Sequence, residues 1–172
     1  MKFFFKSLQP ARFLAARFLG ALGTCLLLLS VPLYPASAET DDPFAVLRGN
    51  WGGSGTMVLR DGDKERLTCK AAYSGSASQL ILQINCRSSS NKVNMKAKLS
   101  ANSGRLLGVW EEETFKALGT IAGKIDENKI TFNIAGNVLG GMVVRYSKSR
   151  QDVSITTQGV ALQNIKMRLS RR

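Results

Sequence analysis

Apolar and polar residues alternate along most of this chain, in short runs separated by turn-forming clusters. That period of two marks half-buried strands; no long stretch shows a helical stripe. Trp51, Gly53, Gly55, Met57 and Leu59 share one face of a first strand, and Asp61-Gly62-Asp63 ends it. Leu67, Cys69, Ala71 and Tyr73 form the apolar face of a second, with Arg66, Thr68 and Lys70 opposite. Leu80, Leu82, Ile84 and Cys86 define a third. In the fourth, Val93, Met95, Ala97 and Leu99 alternate with Lys92, Asn94, Lys96 and Lys98. The second half is less regular, with strands expected over 105–113 and 118–125, around Ile130 and Ile134, from Met142 to Tyr146, at Val153 and Ile155, and from Ile165 to Leu169. Residues 111–124 have some helical character, which Gly119, Gly123 and the threonines oppose.

About 8–10 short strands with closely spaced turns predict an all-β domain, a single small antiparallel barrel or a sandwich. A barrel is preferred, because closure leaves no unpaired edge. A hairpin turning at Ala77-Ser78 sets Tyr73 against Leu82, Ala71 against Ile84 and Cys69 against Cys86. Facing residues in such a pair lie about 4.5 Å apart, within reach of a disulfide. Closing that loop stabilises by roughly 3 kcal/mol in the chain-entropy model. The pair lacks the Cys-x-x-Cys spacing of redox-active thiols and reads as a structural staple.

Upstream the pattern changes character. Lys2, Lys6, Arg12 and Arg17 precede an uncharged apolar stretch over 18–31, followed by Pro32 and Ala36-Ser37-Ala38. This order predicts a signal peptide over 1–38, cleaved after Ala38, and one domain over 39–172. The apolar stretch is short for a membrane span, which needs about 20 residues. Cys25 sits too early in it to be a lipidation site. A periplasmic or secreted location follows, in keeping with a disulfide.

Charge adds a preference among partners. The net charge is +12, and loss of the four basic leader residues lowers it to +8. Such a surface favours anionic components of the cell envelope, a lipid-like ligand or another envelope protein; nucleic acid is not expected outside the cell. The chain has no histidine. That excludes Ser-His-Asp and Cys-His catalysis and the usual zinc sites, so no metal and no cofactor is expected. Lys92, Lys96 and Lys98 on an outer strand face argue against a barrel that spans a membrane.

Candidate site residues are few. Trp51 and Trp110 each end a Gly-x-Trp, at Gly49-Asn50-Trp51 and Gly108-Val109-Trp110, and are candidates to line a pocket or cap a barrel end. Arg145, Lys148 and Arg150 cluster near a turn and suit a phosphate or carboxylate, as do Arg168, Arg171 and Arg172. Glu111-Glu112-Glu113 is the one acidic cluster. Glu111 and Glu113 would share a strand face, as the paired carboxylates of a hydrolase do, but no second cluster completes a site, so a solvated strand end is expected. Gly52-Gly53-Ser54-Gly55 lacks the Lys and helix of a phosphate loop and suits a sharply bent strand.

The opening Gly49-Asn50-Trp51 resembles that of calycin barrels such as lipocalins, although their Thr-Asp-Tyr stretch is absent. The resemblance implies an apolar ligand in the barrel and a last-strand arginine, for which Arg168 is the loose match. Small secreted inhibitors of lysozymes and metalloproteases are similar in plan: signal peptide, small barrel, one disulfide. From Leu47-Arg48-Gly49-Asn50-Trp51 to Leu169-Ser170-Arg171-Arg172 the chain also resembles small exported proteins of bacterial envelopes. The expectation is a non-enzymatic binding module for a small apolar or anionic ligand. The alternative is a protein-interaction or inhibitor-type barrel, or a structural envelope factor.

Overall fold

Strict alternation of side chains builds ten strands in the computed structural model, which describes residues 42–172. The predicted signal peptide, its cleavage point and Cys25 lie outside the described residues. The strands are β1 (Gly49–Leu59), β2 (Lys64–Gly75), β3 (Gln79–Arg87), β4 (Lys92–Asn102), β5 (Arg105–Glu112), β6 (Ala117–Asp126), β7 (Lys129–Gly136), β8 (Leu139–Tyr146), β9 (Arg150–Gln158) and β10 (Leu162–Arg171). Each pairs antiparallel with the next, and β10 returns to β1, so the sheet closes into a barrel and the sandwich alternative falls away. Among the described residues no helix is long and apolar enough to cross a membrane.

The register follows the parity read from the sequence. Tyr73 faces Leu82, Ala71 faces Ile84, and Cys69 faces Cys86. The two cysteines form a disulfide with their Cα atoms 4.1 Å apart. Along β3 every second residue is buried, and the same parity continues through β4 at Ala97 and Leu99. Apolar side chains point inward into one cluster, while most charges point outward. That is the reverse of the polarity a lipid-spanning barrel requires.

Glycine matters where β1 meets its neighbours. A side chain at Gly53 would place its Cβ 2.0 Å from the Arg168 carbonyl oxygen on β10, so the close approach of β1 and β10 requires a residue without one. Gly49 has φ of 123°, which lets the chain swing from the preceding turn into β1.

The two ends of the barrel differ. One carries residues 42–48 and the β2–β3, β4–β5, β6–β7 and β8–β9 turns; it is called the plugged end below. The far end carries the β1–β2, β3–β4, β5–β6, β7–β8 and β9–β10 turns.

Candidate functional site

The plugged end is built by a short N-terminal turn. Phe44 and Leu47 are both 0% exposed and drop into the core beside Trp51. The Phe44 amide donates to the Asp42 carboxylate, and the Leu47 and Arg48 amides donate to the Phe44 carbonyl. Arg48 grips Asp42 through both guanidinium nitrogens, and this hydrogen-bonded pairing holds the Asp42 carboxyl below its ordinary range. The Trp51 indole N–H donates to the Leu47 carbonyl at 2.8 Å. Arg171 lies over the Trp51 ring, 4.4 Å from its centre, and donates to the carbonyls of Val46, Arg48 and Lys148. The plug is thus tied to both ends of the chain's β structure.

The arginines of β10 differ in placement. Arg168 points outward and pairs with Asp152 at 2.8 Å. Arg171 instead occupies the place over Trp51, because β1–β10 register sets Arg171 opposite Trp51 and Arg168 opposite Ser54.

Beneath the plug lies a buried polar pair that sequence reasoning missed. Gln151 on β9 is 0% exposed, and its Oε1 accepts a hydrogen bond from the Tyr73 hydroxyl at 2.7 Å. Burial pushes the Tyr73 phenol well above its ordinary range, with the Gln151 contact opposing, so it remains a neutral donor. The Gln151 Nε2 has no hydrogen-bond partner. Its signal was parity: Gln151 occupies the same strand face as Val153 and Ile155.

Beside the plug, a cavity of about 640 Å³ opens at the rim, lined by Pro43, Ala77, Ala101, Ile125 and Tyr146 among others. Tyr146 faces Gln151 directly across the β8–β9 ladder. Its hydroxyl donates to the Glu127 carbonyl, and burial raises its phenol. Around this rim, register sets cation against cation: Arg105 opposite Lys124, and Lys129 opposite Arg145. Like charges directly opposed on a sheet repel, and here Asp126, which pairs with Lys124 at 3.7 Å and faces Lys129, and Asp152, which faces Arg145, offset part of that repulsion. A further such pair, Arg87 and Lys92, lies at the far end, away from the cavity.

The other predicted residues are dispersed. Trp110 is inward-facing on β5 toward the far end, and its indole N–H donates to the Ala135 carbonyl at 3.4 Å. It lies across the barrel from Trp51, so the two tryptophans do not share a pocket. Arg145, Lys148 and Arg150 are all exposed around the β8–β9 turn. Arg145 joins the rim cations and Arg150 faces Ser170, while Lys148 lends its carbonyl to Arg171.

In the acidic cluster the buried member is Glu112, not Glu111 or Glu113. Its carboxylate accepts from the backbone amides of Asn94 and Phe115 and so ties the β5–β6 turn to β4. Glu113 pairs with Lys96, which also faces Glu111. These carboxylates flank a lysine on the outer face of the sheet, where Lys96 and Glu111 line a shallow groove. Among the described residues no group of three or more His, Cys, Asp and Glu is placed to hold a metal ion.

No protein-family model and no curated relative matches the chain. Solved structures do. Rv2717c from M. tuberculosis superposes with a TM-score of 0.61 at 13% identity, covering 78% of this chain and 98% of that one. The S-type phycobiliprotein lyase CPES from Guillardia theta superposes with a TM-score of 0.50 at 11% identity, covering 75% and 89%. Both are calycin-like barrels. At these identities the likeness establishes the fold, in agreement with the resemblance carried by Gly49-Asn50-Trp51.

Proposed function

We propose that the chain is an exported, non-enzymatic binding barrel that takes a small ligand with an apolar body and an anionic group at the rim of the plugged end. The observation that carries this reading is the rim cavity, with Arg105, Lys124, Lys129 and Arg145 on the adjoining outer ends of β5 to β8. The volume falls in the range of small-molecule sites. Ala77, Ala101, Ile125 and Tyr146 offer apolar surface for the body of a ligand. These cations, balanced in part by Asp126 and Asp152, favour an anionic group on the ligand through their field at the cavity mouth. Export is supported by the leader pattern and by the Cys69–Cys86 bond, which an oxidising compartment maintains.

Native mass spectrometry of the protein recovered from its own cells, with a denatured control, tests both parts. The expected polypeptide begins at Glu39 and carries extra mass that leaves on denaturation. Ala101→Trp should fill the cavity and abolish the extra mass, and an Arg105→Gln/Lys124→Gln variant should weaken its retention. A bare polypeptide from native cells, or a ligand retained by Ala101→Trp, would refute the rim site. A polypeptide that still carries residues 1–38 would refute export.

A further inference from the structure

On the outside of the barrel, large apolar side chains are gathered on one side. Leu107, Val109 and Leu118 are 62%, 54% and 63% exposed, and Ile81 is 41% exposed. All four project from the outer face of β3, β5 and β6. Phe115 on the β5–β6 turn and Leu139 at the start of β8 extend the area toward the far end. Among the described residues, no large apolar side chain is exposed on β9, β10, β1 or β2. Apolar surface concentrated in this way marks a contact site.

Register interleaves this area with lysines. Ile81 faces Lys98, which faces Val109; Lys96 faces Glu111, which faces Leu118. Ile81, Lys96, Lys98, Val109 and Leu118 line a shallow groove of about 450 Å³. Lys92 stands on the same outer face at the start of β4, while Glu113 pairs with Lys96 and Glu111 faces it. The face is therefore apolar with lysines interleaved, of which Lys96 is held by Glu113 while Lys92 and Lys98 make no salt bridge among the described residues.

We infer that this face docks peripherally on an anionic lipid bilayer. A second copy of the chain is disfavoured, since a self-complementary contact would press lysines against lysines. An acidic protein would need fixed carboxylates matched to each cation. A fluid headgroup layer needs no fixed register: the lysines extend their charges to lipid phosphates while the intervening apolar side chains enter the interface. The same lysines that bar the barrel from spanning a membrane suit it to lie on one. This site is separate from the rim cavity and stands whether or not that cavity binds a ligand.

Flotation of the purified protein with vesicles tests the inference. At low salt it should float with mixed phosphatidylcholine–phosphatidylglycerol vesicles and not with phosphatidylcholine alone. Leu107→Ser/Val109→Ser/Leu118→Ser should weaken binding about tenfold or more, since apolar burial supplies part of the affinity. Lys92→Gln/Lys98→Gln should weaken it by about fivefold per cation removed. Phe115→Ser, a turn substitution that leaves every strand intact, should weaken it in the same direction. Arg66→Gln/Lys70→Gln on the outer face of β2 should leave it unchanged. Absence of flotation would overturn the inference. So would equal loss in the β2 control, or a concentration-dependent dimer that the triple serine variant dissolves.

Discussion

Gln151 and Tyr73 form a closed thermodynamic problem inside the barrel. The hydroxyl of Tyr73 satisfies Gln151 Oε1, and Gln151 Nε2 is unsatisfied at 0% exposure. An unpaired buried donor costs about 1–3 kcal/mol, whereas a paired hydrogen bond contributes a net of about 1 kcal/mol. Tyr73→Phe leaves both ends of the Gln151 amide unpaired and should destabilise by about 1–2 kcal/mol. Gln151→Met removes the unpaired donor but strands the tyrosine hydroxyl, so the two effects nearly cancel. The double variant removes every polar atom in the pair at little change in volume. It should be more stable than the native protein by about 1 kcal/mol, as when buried polar groups are replaced together by apolar ones. For a domain of this size that corresponds to about 3–5 °C in melting temperature. Calorimetry with the disulfide intact gives the ranking: double variant above native, native level with Gln151→Met, Tyr73→Phe lowest. A double variant that melts below the native protein would refute the reasoning, for it would show that Nε2 has a partner of its own in solution.

Three further outcomes are expected. Cys69→Ala/Cys86→Ala should lower stability by roughly 3 kcal/mol in urea unfolding, from the 17-residue separation of the bridged pair. Arg171→Met removes the cation from the Trp51 face and its donors from three carbonyls. It should cost about 2 kcal/mol and open residues 42–48 to limited proteolysis, while a disordering of the whole barrel would contradict the local role given to Arg171. Glu65 accepts from Ser88, Ser90 and Asn91, and the Ser88 contact is foremost in lowering its carboxyl below the usual 4.5. A lowered folded value means the contact is present above pH 4.5 and is lost as pH falls through the folded value. Amide shifts over residues 88–91 should titrate only in that acid window, and titration near neutrality would refute the assignment.

Much of this architecture was legible because barrel strands obey local rules. The parity of Leu80, Leu82, Ile84 and Cys86 against Leu67, Cys69, Ala71 and Tyr73 determined both the hairpin and the disulfide. Turn residues such as Asp61-Gly62-Asp63 delimited elements without reference to anything distant. What was not legible depends on contacts remote in sequence. Residues 42–48 carry no periodic pattern, so the plug shows itself only when Phe44 and Leu47 meet Trp51. Choosing between Arg168 and Arg171 requires the β1–β10 register, which joins segments at opposite ends of the domain and includes a shift at Val58/Leu59. Glu112 carried a usable signal, the inward parity of Trp110, but three consecutive glutamates read as a solvated end. The second Gly-x-Trp proved unlike the first: Gly108 lies mid-strand against the Lys98 carbonyl, whereas Gly49 turns the chain into β1 with a positive φ.

The distribution of buried volume bears on where such a barrel can recognise anything. Leu67, Leu80, Ile84, Leu106, Ile130, Ile165 and Leu169 are each at most 2% exposed, and Met57, Phe132, Met142 and Met167 fill the space between them. A ligand placed among these side chains would have to displace a close-packed core, at a cost of several kcal/mol. The calycin resemblance implied an apolar ligand within the barrel; the packing disfavours that position, which is why the proposed site lies at the rim beside the plug. There Ala77 and Ala101 leave room that leucine or methionine would occupy, and Arg105, Lys124, Lys129 and Arg145 stand on the adjoining outer strand ends. In the proposed reading the barrel is a rigid frame, and binding is carried by residues the core does not need. On that logic the rim variants should change binding without changing stability, whereas the Tyr73 and Gln151 variants should change stability first.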